Sequence, residues 1–277
     1  MNNNAKKYFL LFLKGMGMGG ADVVPGVSGG TIAFITGIYE ELLSSISKVD
    51  MDAVKLLIGF RIKEFWEHIN GTFLVVLLSG ILFSVLSLAK LITYLLEHHP
   101  IPIWSFFFGL IIISAVLVAK EIKKWNWVVV LAAIAGTAIA YFVTIATPAH
   151  TPNDLWFVFI SGSIAICAMI LPGISGAFIL LLLGKYTYIF TALTELNFVV
   201  IIVFGVGCAF GLLSFSRVIS WLLKNYYNTA VALLAGFMIG SLNKIWPWKI
   251  PTTYRINSEG IQVPLTEMNV TPKAFWT

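Results

Sequence analysis

The sequence predicts an all-α polytopic membrane protein, a single domain over 1–277, built as an inverted-topology repeat. Three observations predict it. The 277 residues are 58% hydrophobic and only 11% charged, with a mean hydropathy of +0.90, whereas a soluble domain carries about 25% charged residues. The apolar residues fall in long blocks, not in alternating or amphipathic patterns. Two of those blocks are interrupted at their middle by the same Pro-Gly motif.

At the amino terminus, Lys6 and Lys7 followed by Tyr8 to Leu13 imitate a signal peptide. That apolar run is short, Lys14 interrupts it, and no small-residue cleavage site precedes Gly15 to Gly20, so the segment is expected in the mature chain. Five conventional spans are expected at about Phe73 to Leu96, Ile103 to Ala119, Trp125 to Thr147, Phe198 to Leu223 and Thr229 to Trp246, each compatible with crossing ~30 Å of hydrocarbon. The stretches Tyr8 to Leu43 and Leu155 to Phe190 carry the Pro-Gly breaks. Half of such a stretch is about 16 to 18 residues, marginal for a crossing, which favours re-entrant helical hairpins. Repeat one then covers approximately 8–120, a linking span 125–147 and repeat two 155–246, with an external tail over 247–277.

The two broken stretches match in register. Val24-Pro25-Gly26-Val27-Ser28-Gly29-Gly30 lies over Leu171-Pro172-Gly173-Ile174-Ser175-Gly176-Ala177 at an offset of 147 (172 − 25), and the same offset pairs Gly37 with Gly184 and Tyr39 with Tyr186. Chance similarity between apolar segments does not align Pro, Gly, Ser and Tyr together. Downstream, Ser87 to Leu96 aligns with Ser214 to Leu223 at an offset of 127 (217 − 90), which pairs Lys90 with Arg217. The first half therefore carries about 20 extra residues (147 − 127), and the polar stretch Ser44 to Asn70 accounts for them as an amphipathic surface helix or loop. An odd number of spans separates Ser28 from Ser175, so the hairpins enter from opposite faces, as in many secondary transporters. Lys6, Lys7, Lys14, Lys48, Lys55, Arg61, Lys63, Lys120, Lys123, Lys124 and Lys224 fall on the side of the amino terminus, which the positive-inside rule makes cytoplasmic. The carboxyl terminus is then extracytoplasmic.

The net charge of +5 thus reads as orientation in the membrane and attraction to anionic lipid, not as a nucleic-acid surface. Cys167 and Cys208 sit in apolar stretches and read as small core residues; His68, His98, His99 and His150 read as surface residues without metal-ligand spacing. Neither a metal nor any other cofactor is implied.

The chemistry concentrates at the turns. Each Pro-Gly-Val/Ile-Ser-Gly sequence ends one half-helix and starts another, whose unpaired N–H groups and partial positive charge suit an anion such as phosphate. Gly29, Gly30 and Gly176 permit close backbone approach, while Ser28, Thr31 and Ser175 add hydroxyls. Helix breaking and tight packing explain one such turn by themselves; two copies on opposite faces favour a site. Lys90 and Arg217 interrupt apolar spans at a cost of roughly 2.5 to 3.5 kcal/mol, so they either snorkel or face a polar path. On such a path a phosphate is expected to meet and bind one cation from each side, Arg217 in a forked geometry. Asp22, matched by Met169 in the second copy, is a candidate for coupling to a proton or sodium ion, for pairing with Lys90 or Arg217, or for capping the next helix. Glu40 ends the first hairpin and is a second candidate for coupling or gating.

These residues carry a resemblance. Gly19-Gly20-Ala21-Asp22-Val23-Val24-Pro25-Gly26-Val27-Ser28-Gly29-Gly30-Thr31, Gly37-Ile38-Tyr39-Glu40, Leu171-Pro172-Gly173-Ile174-Ser175-Gly176 and Gly236 to Leu242 resemble the bacterial polyprenyl-phosphate transporter family, over nearly the whole chain up to about Trp248. The resemblance implies return of undecaprenyl phosphate, the lipid carrier of cell-wall synthesis, from the outer to the inner leaflet of the cytoplasmic membrane. It implies no enzymatic activity. Undecaprenyl-pyrophosphate phosphatases also have inverted hairpins and a Pro-Gly-x-Ser turn, but they carry Arg after the Ser, where this chain has Gly29 and Gly176. An anion channel is a third class. The expected partners are polyprenyl phosphate, membrane lipids and a coupling proton or sodium ion.

Overall fold

The computed structural model describes residues 3–24, 26–149, 151–256 and 262–275; Pro25, His150 and Trp276 lie outside them. The first half contains α1 (Asn3–Asp22), α2 (Gly29–Ile35), α3 (Tyr39–Ser47), α4 (Met51–Ile58), α5 (Ile62–His68), α6 (Gly71–His98) and α7 (Pro100–Lys120). Helix α8 (Trp127–Ile145) links it to α9 (Leu155–Ile170), α10 (Gly176–Leu182), α11 (Tyr186–Thr194), α12 (Phe198–Asn225) and α13 (Tyr227–Ser241). The chain ends in β1 (Lys249–Ile256), β2 (Gln262–Asn269) and α14 (Pro272–Phe275).

Element boundaries recur at the offsets read from the sequence. Helices α2 and α10 correspond end to end at 147 (176 − 29), as do α3 and α11; α6 and α12 correspond at 127 (198 − 71). The positive backbone angles also recur, at Gly26 and Gly173 in the turns and at Gly37 and Gly184 where each short helix ends. Glycine adopts that conformation without the Cβ clash other residues meet.

Each half closes by laying its first helix along its long helix. A Cβ at Gly15 would stand 2.3 Å from the Leu77 carbonyl oxygen and one at Gly80 2.2 Å from that of Phe12, so α1 and α6 touch backbone to backbone. The equivalents in α9 and α12, Gly162 against Phe204 and Gly207 against Phe159, have spacings of 2.6 and 2.2 Å. Such contact is how helices gain packing energy where lipid is as apolar as the side chains. The Cys167 and Cys208 thiols each donate to a carbonyl across the same α9–α12 seam, at 3.5 Å.

Among the described residues, α6, α7, α8 and α12 are long and apolar enough to cross a membrane, and α10 with α11 form a pair bent by 106°. Their outward side chains, such as Phe83, Leu86, Phe106, Ile134, Phe142 and Phe210, are exposed and apolar, as a lipid-facing surface requires. The fifth expected span, 229–246, is shorter than expected. Helix α13 has 15 residues, about 22 Å at 1.5 Å per residue, and the chain then turns over 242–245. It is a core helix: Gly236 and Gly240 meet the Ala133 and Thr137 carbonyls of α8 at 2.3 Å from their would-be Cβ positions.

Of the polar stretch 44–70, residues 44–47 end α3, which has its counterpart in α11, and the extra residues form α4 and α5. Asp50 caps α4 by accepting from the amides of Asp52 and Ala53 at 3.0 and 2.9 Å. Exposed Met51, Ile58, Phe60 and Ile62 make this segment apolar on its outer side, in keeping with an interfacial position. The all-α expectation is corrected at the carboxyl terminus, where β1 and β2 form an antiparallel ribbon. Its alternation was too weak to separate a strand pair from a surface-lying segment.

Alanine at Gly80 or Gly207 should force the paired helices apart and cost about 1–3 kcal/mol, lowering the thermal midpoint in detergent. Gly109→Ala, at a site where a Cβ meets nothing within 4 Å, should melt with the wild type.

Candidate functional site

Both Pro-Gly turns are built alike. Helix α1 stops at Asp22, the chain reverses through Gly26 at φ +87°, and Ser28 takes an extended conformation as N-cap of α2. Helix α9 stops at Ile170, reverses through Gly173 at φ +84°, and reaches extended Ser175 at the start of α10.

The two turns bond to each other. The Ser28 hydroxyl donates to the Met169 carbonyl oxygen at 2.9 Å and accepts from the Gly30 amide at 3.0 Å. In return, the Gly173 amide donates to the Thr31 hydroxyl oxygen at 3.1 Å. A Cβ at Gly30 would lie 2.4 Å from the Ile170 carbonyl oxygen, so the two backbones are in contact. Ser28 and Thr31 are fully buried and Ser175 nearly so. Ser28, Gly30 and Thr31 therefore meet the second turn at Met169, Ile170 and Gly173, while Ser175 and Gly176 follow Gly173 directly at the start of α10. The match is unequal, since Ser28 caps its helix through the side chain and Ser175 does not.

Asp22 takes the capping role. Its Oδ1 accepts from the Gly29 amide at 2.7 Å, and a Cβ at Gly29 would sit 2.5 Å from Oδ2. At the other end of α2, Lys14 Nζ donates to the Thr36 carbonyl oxygen at 2.7 Å. Asp22 and Lys14, both on α1, thus place an anion at the N-terminus and a cation at the C-terminus of a buried seven-residue helix, the signs its dipole favours. Among the described residues Asp22 forms no ion pair with Lys90 or Arg217.

The outlying candidates lie elsewhere. Lys90 is exposed on α6. Arg217 is exposed on α12 and donates to the Val49 carbonyl oxygen at 3.0 Å and to that of Ser47 at 3.5 Å, holding the end of α3. Glu40 is exposed and lines a cavity of about 640 Å³ with Glu41, Lys120, Glu121 and Tyr227.

At the opposite end of α13 is a cavity of about 300 Å³, lined by Thr144 to Pro148, α10, Asn243, Lys244, Lys249 and Glu267. Lys249 looks in the sequence like an ordinary charge after the last expected span, and Lys244 lies near the end of that span. The available signal was the shortness of the apolar run before Lys244. Burial pushes the Lys249 ammonium down to about 8, with Glu267 opposing the shift and Lys244 adding to it.

Comparison with known proteins decides the family. The undecaprenyl phosphate translocase-like family profile matches residues 18–263. The chain belongs to that family. It is 48% identical over 277 residues to a polyprenyl-phosphate transporter of Vibrio cholerae serotype O1, covering 100% of this chain and 90% of the relative. It is 36% identical over 254 residues to a polyprenyl-phosphate transporter of Staphylococcus aureus, covering 85% of each. No solved structure matches. These relatives are thus named for moving a phosphate-bearing lipid, and the two turns of this chain hold the buried hydroxyls of Ser28, Thr31 and Ser175.

Thr31→Val should leave the Gly173 amide without its acceptor and cost about 1–3 kcal/mol, read as a lower melting midpoint. Thr31→Ser should restore most of it.

Proposed function

We propose that the protein carries polyprenyl phosphate from the outer to the inner leaflet of the bacterial cytoplasmic membrane, returning the carrier for cell-wall synthesis. Relatives named polyprenyl-phosphate transporter at 48% and 36% identity support the substrate. The observation that carries the mechanism is the hydrogen bonding between the turns, Ser28 to Met169 and Gly173 to Thr31. A hydrogen bond to a backbone carbonyl is worth only ~0.5–1.5 kcal/mol net, and one to a charged group ~1.5–3. A phosphate can therefore take over donors that the turns now spend on each other.

In this reading the two halves are inverted repeats that rock about the junction, giving access from one face and then the other. When the turns part, the Ser28, Thr31 and Ser175 hydroxyls and the Gly29, Gly30 and Gly176 amides bind the headgroup, while the isoprenoid tail stays in lipid. Lys90 and Arg217 attract the anion towards the ends of the path. The amino terminus is cytoplasmic and the β-ribbon external. Asp22 couples the cycle: once its carboxylate takes up a proton or a sodium ion, it releases the Gly29 amide for phosphate. Glu40 serves as the gate on the cytoplasmic side.

Purified protein in liposomes should move labelled polyprenyl phosphate between leaflets without releasing inorganic phosphate. Phosphate release from polyprenyl pyrophosphate would instead support a phosphatase. Asp22→Asn, which keeps a capping oxygen but cannot titrate, should melt within a few degrees of the wild type yet lose the acceleration of transport by an imposed proton or sodium gradient. Unchanged acceleration would remove Asp22 from the coupling role.

A further inference from the structure

Resting on the reading of this chain as a polyprenyl-phosphate carrier, we propose that Lys244 and Lys249, with Glu267 as a displaceable counter-ion, form the site that captures the phosphate monoester headgroup before it reaches the turns.

The charges are arranged for exchange. A single carboxylate oxygen, Glu267 Oε2, lies 3.6 Å from Lys244 Nζ and 3.5 Å from Lys249 Nζ. Both separations exceed the ~2.7–2.9 Å of a well-formed charge-assisted bond, so two cations share one loosely held anion. The group carries a surplus positive charge. The three side chains are only 19%, 6% and 25% exposed for Lys244, Lys249 and Glu267, which strengthens their interaction with an incoming anion. Lys249 is fixed in place by donating to the Lys244 carbonyl oxygen at 2.6 Å and by standing 3.8 Å from the Trp104 ring centroid. A phosphate monoester offers several oxygens where Glu267 offers one, so it can bridge both ammonium groups and release the carboxylate to the ribbon.

The position is as informative as the charge. The stem of Lys244 packs on the first turn, where a Cβ at Gly26 would lie 2.9 Å from Lys244 Cγ. Its ammonium stands 4.8 Å from the centroid of Phe178, in the first turn of α10 and directly beyond the second Pro-Gly turn. Lys244 therefore adjoins both turns, and Lys249 is tied to it through the Lys244 carbonyl. Phe178, Leu181, Leu182 and Ile145 give the cavity an apolar wall, which suits the first isoprene unit of a lipid and gives nothing to free phosphate. The cavity at the other end of α13 has three carboxylates, Glu40, Glu41 and Glu121, against Lys120. Of the two ends of α13, the basic one is therefore the end that holds an anion.

The experiment measures equilibrium binding of farnesyl phosphate to the full chain in nanodiscs, with inorganic phosphate and farnesol as competitors. Lys244→Gln and Lys249→Gln should each weaken binding about tenfold or more, Lys244→Arg should recover most of it, and Glu267→Gln should tighten it. Farnesol should not compete, and inorganic phosphate should compete far more weakly than farnesyl phosphate competes with itself. Wild-type affinity in the double glutamine variant, or weakening by Glu267→Gln, overturns the site. Inorganic phosphate binding as tightly as farnesyl phosphate overturns its assignment to a lipid. Transport in liposomes separates the two readings: a wild type that moves no polyprenyl phosphate fails as a carrier, whereas lysine variants that move it at the wild-type rate remove only the cleft. The Glu267→Gln arm has the opposite expected sign, so misfolding cannot imitate the whole pattern.

Discussion

A broken and buried helix leaves N–H and C=O groups that the protein itself must satisfy, and the centre of this structure follows from how they are satisfied. The two Pro-Gly turns solve the problem jointly. Ser28 takes the Met169 carbonyl at the end of α9, and Thr31 takes the Gly173 amide in the opposite turn. Such contact requires backbones without intervening Cβ atoms, hence Gly30 against Ile170. It also requires supports that keep the short helices in register: Asp22 and Lys14 hold the two ends of α2. Helix α10 lacks that charge pair, with Met169 and Ser161 at the matching positions. Its C-terminal carbonyls are instead held by the loop before α9, through the Ala149 amide and the Thr151 hydroxyl.

The duplication was legible because it is written in residues that local geometry demands. Gly26, Gly37, Gly173 and Gly184 all adopt positive φ, so the offsets that align them as letters also align the helix boundaries. The polar insertion was readable from the drop between the two offsets, which the positions of α6 and α12 repeat. The end of α13 was not, because an apolar run does not reveal where a helix stops and turns begin; the break at 242–245 depends on packing against α8 and the second turn. The ribbon escaped because its pairing is a tertiary contact between weakly patterned segments.

The site was legible in part. Hydroxyls and glycines at the turns could be selected because two copies occur, and Ser28, Gly30 and Thr31 of the first copy meet the backbone of the second. Asp22 had three readings at sequence level, and only the geometry of Gly29 distinguishes capping. Arg217 drew attention as a charge in an apolar span, yet it reaches the carbonyls of Ser47 and Val49 at and just past the end of α3, which sequence spacing could not place beside it. Lys244 carried only the weak signal of a short apolar run before it and Lys249 none, because their meaning comes from Glu267 and Trp104, brought in by β2 and α7. Electrostatic asymmetry along α13, basic at one end and acidic at the other, is likewise a property of the assembled fold.

The proposed cycle requires the bonds between the turns to open when a headgroup binds. Hydrogen–deuterium exchange of the full chain in nanodiscs, followed over the peptides spanning 26–33 and 171–178 with and without farnesyl phosphate, measures that opening most directly. Faster exchange of the Gly173 and Gly30 amides at substoichiometric ligand, giving way to protection at saturation, is the expected result. Exchange at both turns that is indifferent to the phosphate ligand, in a preparation that transports polyprenyl phosphate, would contradict the account.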